Sequence, residues 1–192
     1  MQENRSVGAV ILAAGASRRY GSPKQLVMID GRTMLEHVIG AALTAELDPV
    51  VVVAPVWLPP PAGIDPRVRW IRNAFPERGM SLSLRLGLRA IAPDVSASLI
   101  LLGDQPGISP STIAAVLGAR SDRPVVGAFA DGVLAPPILI ERTHFHLADD
   151  LAGEIGLREL LRRDPDLVTS VPVPAHAPDL DTPDDLGRTT GP

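Results

Sequence analysis

The sequence predicts an α/β fold: a mostly parallel, mixed sheet with helices on both faces. Two observations carry this. Three short apolar runs, Gly8 to Leu12, Val50 to Ala54 and Ser98 to Leu102, do not alternate polar and apolar residues, which is how strands buried on both faces read. Between them lie stretches with helical spacing and helix-start signals, so the chain reads as successive βαβ units with right-handed crossovers. At 192 residues and 45% apolar composition it is long enough to bury one sizeable core, and one domain spanning 1–192 is expected.

Each element has a local reason. Gly8 to Leu12 is the first buried strand. Thr33-Met34-Leu35-Glu36 is a capping box, and Leu35, Val38, Ile39, Ala42 and Leu43 continue it at helical spacing. After the second strand, Val56 to Pro66 holds Trp57 and three consecutive prolines, Pro59 to Pro61. This is a stiff exposed loop, either a rigid connector or a lid or partner contact. A helix is predicted from about Ser81 to Ile91, and Ser109-Pro110 places a cap donor before an N1 proline. Segment 133–140 (VLAPPILI) reads as a strand whose prolines demand an edge or a bulge. A helix from Gly156 to Arg163, stopped by Pro165, and a cap at Thr182-Pro183 complete the series.

Composition excludes several classes. Net charge is −4 and no long block of like charge occurs, so nucleic acid is not an expected partner. Absence of cysteine removes disulfide scaffolds, thiolate zinc sites and thiol nucleophiles, and it fits a reducing compartment. No apolar run approaches the ~18–20 residues a membrane span needs. The Val7 to Ala14 run is short, preceded by Glu3 and followed by Arg18-Arg19, which argues against a secretion signal and for a cytoplasmic protein. Of the 18 basic residues all but one are arginine, and Lys24 is the exception.

In a parallel sheet, ligands bind beyond the carboxyl ends of the strands. The first strand runs into Leu12-Ala13-Ala14-Gly15-Ala16-Ser17-Arg18-Arg19-Tyr20-Gly21-Ser22-Pro23-Lys24, a small-residue turn followed by three cations and no acid. Small residues let backbone N–H groups approach an anion, and Arg19 and Lys24 add charge, which makes a phosphate cradle; the plainer alternative is a glycine-rich turn with solvated arginines. It is neither a P-loop nor the G-x-G-x-x-G dinucleotide turn. The third buried run ends in Gly103-Asp104-Gln105-Pro106, so a carboxylate stands where that strand emerges. Asp104 is either a turn cap or, facing a triphosphate cradle, a ligand for Mg²⁺. A second acid is available in Asp179-Leu180-Asp181-Thr182-Pro183. His144 and His146 flank Phe145 without an obvious third ligand and read as surface residues, and His37, off its helix's apolar stripe, reads as exposed.

These residues resemble the molybdenum cofactor cytidylyltransferases and the wider MobA-like NTP transferases. The LAAG-x-S-x-R-x-G-x-x-K signature is met by LAAGASRRYGSPK. Asn73 before Gly79-Met80-Ser81-Leu82-Ser83-Leu84, then Gly103-Asp104-Gln105-Pro106, then Asp181-Thr182-Pro183 agree in order. The resemblance implies a Rossmann-like nucleotide-diphosphosugar-transferase fold with a nucleotide half near 1–110 and an acceptor half near 111–192. It implies that Leu12, Ala13, Ala14, Gly15 and Lys24 bind the triphosphate with Arg19 assisting, and that Asp104 and Asp181 hold Mg²⁺. Asn73, Ser81 and Ser83 would lie near base and ribose, although both serines also read as helix caps. The LAAG form favours CTP, which implies molybdopterin as acceptor and a molybdenum hydroxylase as partner. Sugar-phosphate or methylerythritol phosphate acceptors, and a non-catalytic cofactor carrier, stay open. A nicotinamide oxidoreductase does not, since its glycine fingerprint is absent. The acceptor half departs from the family: Ala135-Pro136-Pro137 stands where Gly-His-Pro is usual, and Gly153-Glu154-Ile155-Gly156 replaces Gly-Asp-x-Gly.

Overall fold

The computed structural model describes residues 6–15, 23–130, 132–153, 162 and 164–174. In chain order these form β1 (Val7–Leu12), β2 (Met28–Ile29), β3 (Arg32–Thr33), α1 (Met34–Thr44), β4 (Val50–Pro55), β5 (Val68–Asn73), α2 (Met80–Ile91), β6 (Ala97–Leu102), α3 (Pro110–Gly118), β7 (Val125–Ala130), β8 (Val133–Glu141) and β9 (Val168–Pro172). The predicted Gly156 to Arg163 helix and the Thr182-Pro183 start lie outside the described residues.

Seven strands make one sheet in the order β5-β4-β1-β6-β8-β7-β9. Strands β5, β4, β1 and β6 pair in parallel, as do β7 and β9, whereas β8 runs antiparallel to both β6 and β7. The alternation of β1 divides the interior in two. Ala9 and Ile11 face Leu35, Val38 and Ile39 of α1 and Ile113 and Val116 of α3. Val10 and Leu12 face Leu84, Leu88 and Ile91 of α2. Helices cover both faces, which is why the central strands read as unbroken apolar runs.

The helix starts follow the predicted chemistry. Thr33 Oγ1 accepts from Glu36 N at 3.2 Å, and the Glu36 carboxylate accepts from Thr33 N at 2.7 Å, closing the capping box. That backbone hydrogen bond from Thr33 holds the Glu36 carboxyl below its usual range. Ser109 Oγ accepts from Thr112 N at 3.1 Å, with Pro110 in the first turn of α3.

Two expectations are refined. Strand β8 is internal, and its prolines are accommodated by a bulge: Gly127 pairs with Ile138 but Ala128 with Ala135, which loops Pro136 and Pro137 out of the ladder. His37 is half-buried rather than exposed. Its Nε2 lies 2.8 Å from the Ile29 carbonyl, because the β2–β3 hairpin folds over the polar side of α1, a tertiary contact that helical spacing cannot reveal.

Helix α2 lies close against the sheet. A Cβ on Gly87 would overlap Val10 Cγ1 and stand 3.1 Å from Val53 Cγ2. Glycine inside a helix costs up to about 1 kcal/mol relative to alanine, so its presence marks the close approach. Gly87→Ala is expected to lower unfolding free energy by about 1–3 kcal/mol through overpacking against two strand valines, despite the better helix former. An unchanged or raised denaturation midpoint would show that α2 can shift to make room.

Candidate active site

The loops leaving β1 and β6 emerge side by side because their strands pair in parallel through Leu12 and Leu102. Pairing continues past the strands: Ala13 N donates to Val53 O and Gly103 N to Leu12 O, both at 2.9 Å. A Cβ on Gly103 would stand 3.0 Å from Ala13 Cβ, so glycine lets the two loops touch. Together with the start of α2 they enclose a cleft of about 550 Å³, lined among others by Leu12, Ala13, Ala14, Gly15, Ser83 and Asp104.

Backbone and carboxylate are both presented to this cleft. Ala14 and Gly15 N–H groups donate to no group among the described residues. A Cβ on Gly15 would meet nothing within 4 Å, and its φ lies outside the left-handed region, so neither packing nor backbone conformation requires glycine there. What its missing side chain does is leave the chain open to the cleft. Asp104, half-buried two residues beyond β6, lines the same space. Unpaired N–H groups and a carboxylate around a roomy cleft suit a phosphate with a hard cation.

Gln25, Pro76 and Glu77 line the cleft without having stood out in the sequence. Gln25 is almost fully buried in the Lys24–Leu26 turn, lines the cleft and donates from Nε2 to Ala13 O at 3.1 Å, bracing the loop. Its only signal was its place beside Lys24. Lys24 itself is half-buried and outside the lining set. Arg19, Asp181 and Asp179 lie outside the described residues.

The turn between β5 and α2 completes the wall with Pro76, Glu77, Gly79 and Met80. Gly79 is the N-cap of α2 at φ 89°, and no side chain caps this helix, so Ser81 and Ser83 are not caps: they occupy the second and fourth helical positions. Both are buried, and of the two only Ser83 lines the cleft. Ser81 N donates to Gly153 O at 3.1 Å, and its hydroxyl has no partner among the described residues. Asn73 is fully buried behind the wall; its Oδ1 accepts from Phe75 N at 2.9 Å and its Nδ2 donates to Ser83 Oγ at 3.0 Å.

On its other side, α2 reaches residues far along the chain: Arg85 donates to Leu151 O at 2.7 Å and Ala148 O at 3.3 Å. These bonds and the Ser81 contact tie residues 148–153, with Gly153 at φ 58°, to α2. Trp57 is 55% exposed beyond β4. The His144 and His146 rings lie 5.6 Å apart, and no group of three metal-ligating side chains occurs among the described residues. No described helix is long and apolar enough to cross a membrane.

The model of the MobA-like NTP transferase domain matches residues 9–168. The purine catabolism protein PucB of Bacillus subtilis is 31% identical over 163 residues, covering 80% of this chain and 79% of its own. Nicotine blue oxidoreductase of Paenarthrobacter nicotinovorans is 32% identical over 176 residues, 84% of each chain. Among solved structures, Rv0371c of Mycobacterium tuberculosis superposes with TM-score 0.80 at 28% identity over 97% of this chain and 98% of that one. Its complex with manganese gives TM-score 0.75 at 25% identity over 95% and 97%. On the family match across the sheet and the cleft, the chain belongs to the MobA-like NTP transferase family and is a nucleotidyltransferase.

Proposed function

We propose that this nucleotidyltransferase moves CMP from CTP to a phosphorylated acceptor, molybdopterin, and releases pyrophosphate. The observation that supports it best is the open Ala14–Gly15 backbone facing the same cleft as Asp104. A phosphate oxygen of the acceptor attacks the α-phosphorus of CTP, one P–O bond forms, and the bond to the bridging oxygen of the β-phosphate breaks. No general base is needed, since a phosphate monoester has its second pKa near ~6 and is mostly ionised at neutral pH.

The remaining work is positioning and charge. Backbone N–H groups of Ala14 and Gly15 in the Leu12–Gly15 loop hold the triphosphate, while Lys24 and Arg19 offset charge growing toward the leaving pyrophosphate. A carboxylate at a cleft with room for phosphates fits a hard divalent cation, and Asp104, with Asp181, would hold Mg²⁺. When bound, the cation supplies charge neutralisation at the phosphate oxygens. In this reading residues 1–110 serve the nucleotide and 111–192 the acceptor, with a molybdenum hydroxylase downstream in a reducing cytoplasm. The choice of CTP rests on the LAAG form of the first loop. An oxidoreductase activity, as one relative's name has it, finds no support in that loop, which lacks the G-x-G-x-x-G turn.

Thermal shift with each of the common NTPs, with and without Mg²⁺, tests the reading: CTP at ~100 Kd is expected to add roughly 2.7 kcal/mol of stability. No shift with any nucleotide would end the transferase proposal. Asp104→Asn is expected to cut Mg²⁺-dependent pyrophosphate release by about a hundredfold or more while keeping Tm, and unchanged release would remove Asp104 from the site. Running that release assay with molybdopterin, a sugar phosphate and methylerythritol phosphate separates the acceptors, and a pure carrier would release nothing.

Lys24→Arg keeps the charge but replaces a compact ammonium by a broad planar fork. It is expected to lose about tenfold or more in turnover. An enzyme as active as the wild type would make the single lysine a coincidence of composition.

A further inference from the structure

We infer that Asn73 is a positioning residue that makes the Ser83 hydroxyl an obligate donor into the cleft, so that the nucleotide must present an oxygen acceptor there. The inference rests on the nucleotide reading above and adds to it the polarity of one wall.

One group in this network has no choice of role. Phe75 N–H can only donate, and it meets an oxygen of the Asn73 amide at 2.9 Å, which fixes that atom as Oδ1. The other end of the amide is then NH₂, and at 3.0 Å it donates to Ser83 Oγ. A serine hydroxyl has one O–H and two lone pairs. With a lone pair occupied by Asn73, the Ser83 proton must look elsewhere. A helical serine often returns it to the carbonyl four residues back, here Gly79, yet no such bond forms, and no other acceptor lies within reach among the described residues. Ser83 is 4% exposed and lines the cleft, so its proton is left for what enters there. A buried donor without an acceptor costs free energy that a ligand oxygen would recover.

Asn73 does not line the cleft; its NH₂ reaches the cleft through Ser83, while its Oδ1 holds the Phe75 N–H of the turn before α2. Changing it to aspartate reverses the relay. A carboxylate only accepts, so it keeps the Phe75 N–H bond and draws the Ser83 proton to itself, turning a lone pair toward the ligand. Both internal hydrogen bonds survive this change, with donor and acceptor exchanged in one of them.

The test is a double-substitution cycle on CTP affinity with Mg²⁺, using Asn73→Asp, Ser83→Ala and both together, with Tm recorded for each. Asn73→Asp and Ser83→Ala are each expected to weaken binding about tenfold, with the double variant no weaker than Ser83→Ala. Additive losses would mean that Asn73→Asp acts by its negative charge and would overturn the relay. So would an Asn73→Asp protein that binds as the wild type does. If Asn73→Asp does not fold, Asn73→Ala enters the same cycle, and independence from Ser83→Ala overturns the relay equally. Tripolyphosphate, titrated in parallel, identifies the acceptor: a matching loss assigns a phosphate oxygen, and unchanged binding assigns an oxygen of the nucleoside. If the wild type binds none of the common NTPs, the nucleotide reading fails and the relay's ligand with it. A relay failure alone leaves wild-type CTP binding intact.

Discussion

The site depends on β1 lying between β4 and β6 in parallel register with both of its faces buried. That pairing forces the loops after Leu12 and Leu102 to leave in the same direction a strand's width apart. Charged or bulky residues at their roots would push them apart; Ala13 and Gly103 let them touch. The cleft is therefore a by-product of strand order, and Gly15 and Asp104 line it because they follow those strands closely.

Helix α2 is the second organiser. Its packing on β1 and β4, permitted by Gly87, sets the height at which its first turn meets the cleft. The same helix reaches the other half of the chain, through Arg85 on the carbonyls of Ala148 and Leu151 and through Ser81 N on Gly153 O. One element thus carries a wall of the cleft and fixes where residues 148–153 arrive. Asn73 and Ser83 link the preceding strand to this helix from within, so a buried polar pair stands where an apolar one would have given more stability with less direction.

Much of the fold was legible because its causes are local. Continuous apolar runs marked β1, β4 and β6, the Thr33–Glu36 box started α1, and Ser109-Pro110 started α3. Reversal of β8 was not legible: its apolar run says that it is buried, while its direction comes from pairing with β6 and β7 far along the chain. The prolines of β8 demanded an edge or a bulge, and only the partner strand could choose the bulge. His37 and Gln25 escaped for the same reason, since their partners, Ile29 O and Ala13 O, are reached by folding rather than by spacing.

At the site, the sequence by itself determined which residue types are present: small residues and a glycine after the first strand, a carboxylate after the third buried run, and a lone lysine nearby. Those depend on chemistry written residue by residue. What each polar group can do was decided by the tertiary structure. Ser81 and Ser83 read alike as caps or ligands, and only packing made one an unpartnered hydroxyl behind the wall and the other a donor on it. Asn73 read as a contact residue and became the group that orients one. The physical reason is that a hydrogen bond's direction depends on every partner around it, and those partners meet only when distant segments pack.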